Sequence, residues 1–318
     1  HALSTGVATT PAAIAKARSA AEESCRWLLQ ELAPGVVGKY MRPDSKVLET
    51  ARRIFENIKS IIAKDVERAN GLSPEWKAAF KERVKEMQLS IGFPYEGTPS
   101  IKSADPLWVS ALAWRTFHRL RDPINRVDWP GNYHPETVDA SYNVRTNVVY
   151  LPFALLHPPY FDLSAPVETH YARLGFTLAH EAMHGLTASV MYKITDLHKD
   201  YMVQKSFSSC FTKNYPTFIK EDDTGSSESI SDMMGLHWAW SACLENRACA
   251  KKEAMRAFAQ VFTQMFCTTR GAEESDPHGT ASARADLALS STYDLAGRNL
   301  MQQAWGCDAA PQCSILKR

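Results

Sequence analysis

The chain has 318 residues, 45% hydrophobic and 22% charged, which is enough apolar material for a substantial core in one large domain or two smaller ones. Lys and Arg number 36 against 35 Asp and Glu, so the net charge is +1; with no dense basic run, this excludes a nucleic-acid binder that works through bulk charge. A mean hydropathy of -0.30 and no unbroken apolar run near about 18 residues exclude a membrane-spanning helix.

The chain opens at His1 without a charged and apolar leader, so a signal or a longer precursor segment is expected to have been removed, or the chain trimmed. Residues 12–30, Ala-rich with Leu28 and Leu29, and residues 45–65 have helical apolar spacing; in the second, Val47, Leu48, Ala51, Ile54, Ile58, Ile61 and Ile62 share one face. A third helix is predicted over 74–90, because Pro74 after Ser73 suits a first helical turn. The Gly/Pro-rich stretch from Gly92 to Pro99 then breaks the pattern and sets a candidate boundary between a helical segment, 1–100, and a second domain, 101–318. Residues 137–142 and 147–151 read as two strands around the polar turn Asn143–Thr146. From about residue 167 the helical pattern returns and persists. The predicted fold class is mainly α with a small β-sheet, α+β.

Seven cysteines stand at 25, 210, 243, 249, 267, 307 and 313, with no Cys-x-x-Cys pair. They suit an oxidising compartment, against the alternative of a cytosolic chain with scattered buried thiols. Cys243 and Cys249 are close enough in sequence to bridge locally, and an odd total leaves at least one cysteine without a partner inside the chain.

The chemistry concentrates in Leu178-Ala179-His180-Glu181-Ala182-Met183-His184-Gly185. On a helix, residues four apart share a face, so His180 and His184 can offer two imidazoles to one metal ion, and tetrahedral Zn²⁺ suits them. Glu181 flanks the first ligand and suits a general base acting on metal-bound water. With ten His in the chain, the motif arises by chance roughly 0.02 times per chain. A third ligand is required. Glu228 and Asp232, again four apart, supply one carboxylate for the metal and one to fix the tautomer of a ligating His.

These residues, in this order, resemble the neprilysin family of zinc metallopeptidases. The same holds for Asp139-Ala140-Ser141-Tyr142, for His157-Pro158-Pro159-Tyr160-Phe161, and for His278 followed six residues later by Arg284. Phe55-Glu56-Asn57-Ile58 and Ile91-Gly92-Phe93-Pro94 fall where the family has comparable segments. The resemblance implies a zincin-like metallopeptidase catalytic domain over 101–318, with 1–100 forming part of the family's helical second domain. It implies one zinc ion on His180, His184 and Glu228, with Glu181 activating the water and Asp232 orienting a ligating His. His278 would stabilise the oxyanion, Arg284 would hold a substrate carbonyl, and Asp139 with Ala140 would pair with the peptide backbone as an added strand. Phe176, Thr177, Leu155, Tyr160, Met265 and Phe266 would line the pocket for the residue after the cut, favouring bulky hydrophobic side chains; ordinary core packing is the competing reading for these six.

Three departures stand beside the resemblance. Asp139 replaces the family's Asn, and an ionised carboxylate accepts hydrogen bonds where an amide also donates. The zinc helix continues as His184-Gly185-Leu186-Thr187, where the family has His-Gly-Phe-Asp, so a supporting carboxylate is absent. The family's extracellular region is about twice as long, and it implies a Cys210–Cys313 pair, with the partners of Cys25, Cys267 and Cys307 in the N-terminal half. The chain is therefore expected to be the C-terminal piece of a processed precursor, still linked to its N-terminal part through one of those cysteines, or else a shortened relative. The leading expectation is a secreted or lumenal zinc endopeptidase acting on peptides, without nucleic-acid partners. A catalytically weak relative that binds peptides or a protein is the alternative.

Overall fold

The computed structural model describes residues 34–70, 72–92, 137–187, 223–267 and 280–308, together with positions 12, 16, 18–20 and 22. The chain divides into two compact units, one of His1–Arg42, Ile91–Val138 and Pro152–Ala154, the other of Pro43–Ser90, Asp139–Leu151 and Leu155–Arg318. The first contains α1 (Pro34–Met41), a helix the sequence reading did not anticipate, and positions 12, 16, 18–20 and 22 are helical; the rest of the helix expected over 12–30 lies outside the described residues.

In the second unit, α2 (Ser45–Arg68) begins where Asp44 caps it, its carboxylate accepting from the Lys46 N–H at 2.8 Å. Ala51, Ile54, Phe55, Ile58, Ile61 and Ile62 bury one continuous face, as their spacing requires. Helix α3 (Pro74–Glu86) starts at the Ser73 cap with Pro74 in its first turn. It ends four residues before the expected limit, and β1 (Gln88–Ile91) follows instead. A four-residue strand is decided by its partner rather than by its own pattern; here the Gln88 N–H donates to the Asn147 carbonyl at 3.0 Å.

The sheet has the order β1-β3-β2, with β2 (Ser141–Asn143) antiparallel to β3 (Val148–Leu151) in the register Ser141↔Tyr150, Tyr142↔Val149 and Asn143↔Val148. The first strand therefore starts at Ser141 rather than at 137. Pro152, which has no N–H, follows directly on β3 and falls opposite Asp139 in this register, so the ladder has no continuation opposite residues 137–139. Asn147 closes the turn at φ 57, a left-handed position that Asn tolerates. The outer edge of β2 has no neighbouring strand among the described residues.

Helix α4 (Val167–His170), a π-helical turn (Tyr171–Gly175) and α5 (Phe176–His184) run on without a break. In the π turn the Phe176 N–H reaches the Tyr171 carbonyl, five residues back. The extra residue rotates everything after it by roughly 100° relative to α4. Asn57 of α2 fixes the turn by donating to the Tyr171 hydroxyl at 2.6 Å.

Helix α6 (Asp223–Leu244) is the centre of this unit. From Ser229 to Cys243 every residue is buried, as expected of a helix covered on all sides. It packs on α5 and α2; inside the α2 contact, Asp65 accepts from His237 Nε2 and Trp238 Nε1, both at 3.0 Å. Cys243 and Cys249 form a disulfide between the end of α6 and the loop leading to α7 (Lys252–Gln264). Cys267 and Cys307 are free and exposed, whereas Cys25, Cys210 and Cys313 lie outside the described residues. Helices α8 (Ala281–Ser290) and α9 (Leu300–Trp305) follow, capped by the side chains of Thr280 and Asn299.

Candidate metal centre

One turn of α5 separates His180 from His184, and α6 brings Glu228 across to them. His180 Nε2 lies 3.1 Å from Glu228 Oε2 and 3.2 Å from His184 Nε2, while His184 Nε2 and Glu228 Oε2 are 3.5 Å apart. In a tetrahedral zinc site with bonds of about 2.0–2.1 Å, ligand atoms stand about 3.3 Å from one another. The three atoms thus form one face of such a site, in a group able to hold a metal ion. Its charge balance also suits a cation. Burial disfavours a protonated imidazole, yet hydrogen bonds to Asp232 and Glu228 outweigh it and push His180 up to about 10. A metal ion would take the place of that proton.

The outer contacts hold the ligands at their second nitrogens. His180 Nδ1 is 3.0 Å from Asp232 Oδ1, and Asp232 is fully buried on α6, one turn beyond Glu228. Arg284 of α8 grips the same carboxylate with two bonds, Nε to Oδ2 at 2.7 Å and Nη2 to Oδ1 at 2.8 Å. Burial raises the Asp232 carboxyl, but Arg284 and His180 outweigh it and hold it below the ordinary range. His184 Nδ1 faces a hydroxyl instead, Ser231 Oγ at 3.4 Å. Where the family's supporting carboxylate is absent, Thr187 is buried and its Oγ1 donates to the His184 carbonyl at 3.3 Å, closing the end of α5.

Two glycines permit these approaches. A Cβ on Gly235 would lie 3.0 Å from both the N and the Cα of His180, so α6 meets the ligand helix backbone to backbone. A Cβ on Gly185 would stand 2.6 Å from the Tyr142 ring, which packs there with its hydroxyl donating to Asn147 and accepting from Arg83. Gly235→Ala is expected to displace α5 by a few tenths of an ångström and to destabilise the fold by about 1–3 kcal/mol. It should also weaken metal binding, both effects being read by thermal unfolding and by competition with a chelator.

Glu181 is buried on α5 beside the ligands. Phe176 meets Phe262 at 4.8 Å and Phe266 at 6.3 Å between ring centroids, edge to face, and the Arg284 guanidinium lies 5.1 Å over Phe266. Tyr160 is bonded through its hydroxyl to Thr177 Oγ1, one turn before Glu181. Asp139 is exposed and Ala140 buried just ahead of β2. His278 lies outside the described residues. Sequence reasoning missed Ser231, Phe262 and the Arg284–Asp232 pairing; for Gly235 the signal was available, since a glycine inside a helical pattern marks a close approach.

A family model for Peptidase family M13 matches residues 139–297, half of the chain. The chain belongs to this family. The matched segment contains all three candidate metal ligands of the M13 chain, with Glu181, Asp232, His278 and Arg284. Neprilysin-2 of Drosophila melanogaster is 26% identical over 136 residues, which are 38% of this chain and 17% of the fly protein. The zinc metalloprotease Zmp1 of Mycobacterium tuberculosis, solved with an inhibitor, superposes with a TM-score of 0.66 at 18% identity, over 88% of this chain and 48% of that one. PepO from Lactobacillus rhamnosis HN001 gives a TM-score of 0.66 at 18% identity, over 92% of this chain and 49% of that one. The M13 chain thus has the fold of these structures and spans about half the length of each.

Proposed function

We propose that the chain works as a zinc-dependent endopeptidase or oligopeptidase, with His180, His184 and Glu228 as ligands and Glu181 as general base. The observation that carries the reading is the convergence of three ligand atoms from α5 and α6 at mutual distances of 3.1, 3.2 and 3.5 Å. Two imidazoles and one carboxylate are the protein ligands of a catalytic zinc site, which keeps its fourth position for water or substrate. Bound there, zinc supplies an activated water and polarises a peptide carbonyl.

The chain's own residues do the rest. Glu181 takes the proton of the attacking water and returns it to the leaving amine. Asp232, anchored by Arg284, holds His180 in the tautomer that leaves Nε2 for the metal. His278 donates to the developing oxyanion. Asp139 and Ala140, just ahead of β2, receive the substrate as an added strand, and Arg284 holds one of its carbonyls. The aromatic wall of Phe176, Phe262 and Phe266 supports cleavage before bulky hydrophobic residues. A secreted or lumenal setting suits the Cys243–Cys249 disulfide, and Cys25, Cys267 or Cys307 would tether the chain to the N-terminal part of its precursor.

Digestion of a mixed peptide library, with and without a zinc chelator and followed by mass spectrometry, tests this directly. Chelator-sensitive cuts before bulky side chains are expected. Absence of cleavage at stoichiometric zinc would overturn the peptidase and favour a peptide-binding protein.

A further inference from the structure

The two candidate histidine ligands are supported unequally. Their rings stand nearly perpendicular, at 79° with centroids 4.9 Å apart, and the nitrogens turned away from the ligand triangle meet different partners. Nδ1 of His180 reaches the Asp232 carboxylate at 3.0 Å, whereas Nδ1 of His184 reaches Ser231 Oγ at 3.4 Å. Ser231 is fully buried on α6, between Glu228 and Asp232. Its side chain is short, and it meets the ring where Gly235, one turn further along α6, lets this stretch lie against the main chain of α5. Thr187 Oγ1 donates to the His184 carbonyl at 3.3 Å. Thr187 thus acts on the main chain of His184 and Ser231 on its ring.

The chemistry of the pair sets its direction. Nε2 of His184 belongs to the ligand triangle, 3.5 Å from Glu228 Oε2. A neutral imidazole that gives one nitrogen to a metal ion carries its proton on the other. Nδ1 is then a donor, and the Ser231 hydroxyl, which can donate or accept, accepts. A hydroxyl does this without adding a further negative charge beside Glu228 and Asp232. A buried donor left without an acceptor is costly, so the contact favours the tautomer and ring angle that present Nε2.

We propose that Ser231 is a positioning residue for the metal centre: its hydroxyl accepts from His184 Nδ1 and holds that imidazole ready for the ion. The proposal rests on the zinc ligands of the reading above.

Zinc affinity is measured by competition with a chromophoric chelator for the wild type and S231A. The imidazole N–H groups of the zinc-loaded proteins, prepared with isotope-labelled histidine, are followed by NMR. S231A is expected to bind zinc about tenfold more weakly, the lower end of what an orienting partner contributes, since the contact is uncharged and longer than that of Asp232. In the wild type the His184 proton should stand on Nδ1 and exchange slowly with water. In S231A its exchange should quicken, while that of the His180 Nδ1 proton stays as it was. An affinity within about twofold of the wild type would overturn the proposal. So would a weaker affinity with unchanged exchange at His184, which would mean that Ser231 acts through packing alone. A wild-type His184 bound to zinc through Nδ1 would overturn it as well, whether or not the variant folds. Peptide cleavage by the same preparations separates the two readings. Zinc binding that depends on Ser231 without any cleavage sustains the positioning role while the peptidase reading fails, and a wild type that takes up no zinc overturns both.

Discussion

Glu181→Gln is expected to lower kcat on any peptide the chain cuts by about 1,000-fold, while zinc content and thermal stability stay near those of the wild type. The amide keeps the size and shape of the carboxylate and removes its ability to accept a proton. Glu181 is not among the three converging ligand atoms, which come from His180, His184 and Glu228, so the metal has no reason to leave. One residue beyond His180, it is turned by roughly 100° around the helix, beside the metal site and not in it. The measurement pairs kcat with metal analysis of the same preparation. Activity within a few-fold of the wild type would refute the general-base assignment, and loss of zinc along with activity would make Glu181 part of the metal site instead.

How much of this was legible in advance depends on the range of the interaction. His180 and His184 could be paired from their spacing because a helix puts residues four apart on one face, and Glu228 with Asp232 repeats the logic on a second helix. The long apolar face of α2 was visible for the same reason. The failures are non-local. Nothing in residues 88–91 distinguishes a strand from the last turn of a helix until β3 lies beside them. Arg284 and Asp232 are 52 residues apart, and only the packing of α8 on α6 brings them together. Ser231 lies between two recognised residues, yet its contact with His184 follows from the rotation of α6 rather than from any motif. The apolar pocket implied by resemblance missed that Tyr160 and Thr177 bond to each other, since one position says nothing of the other's hydroxyl.

Asp232→Asn is the more severe change for the fold. The carboxylate is fully buried and serves two cationic partners, with Arg284 on both oxygens and His180 Nδ1 at 3.0 Å from Oδ1. In the variant one oxygen becomes an NH₂ group, which must face an N–H of Arg284 or of His180, and the Arg284 guanidinium loses its counter-charge. Breaking a buried pair on one side costs about 3–5 kcal/mol, and removing a ligand's orienting partner lowers metal affinity about 10–100-fold. The pH dependence follows from the direction of the shift. Asp232 is held below its usual 3.8 in the folded state, so its contribution is fully present above that value and is lost as pH falls through the folded pKa. The stability gap between the metal-free wild type and variant should therefore be widest between the ordinary Asp and His values and narrow in acid as Asp232 takes a proton. It should narrow again as pH rises from about 6.5 toward about 10, where His180 loses the proton that Asp232 helps it hold. Denaturant titration of the metal-free proteins across pH measures the gap, and zinc competition measures the affinity. Coupling to Arg284 is read from the double variant D232N/R284Q, which should cost less than the sum of the single changes. Strict additivity would mean that Asp232 acts on His180 alone.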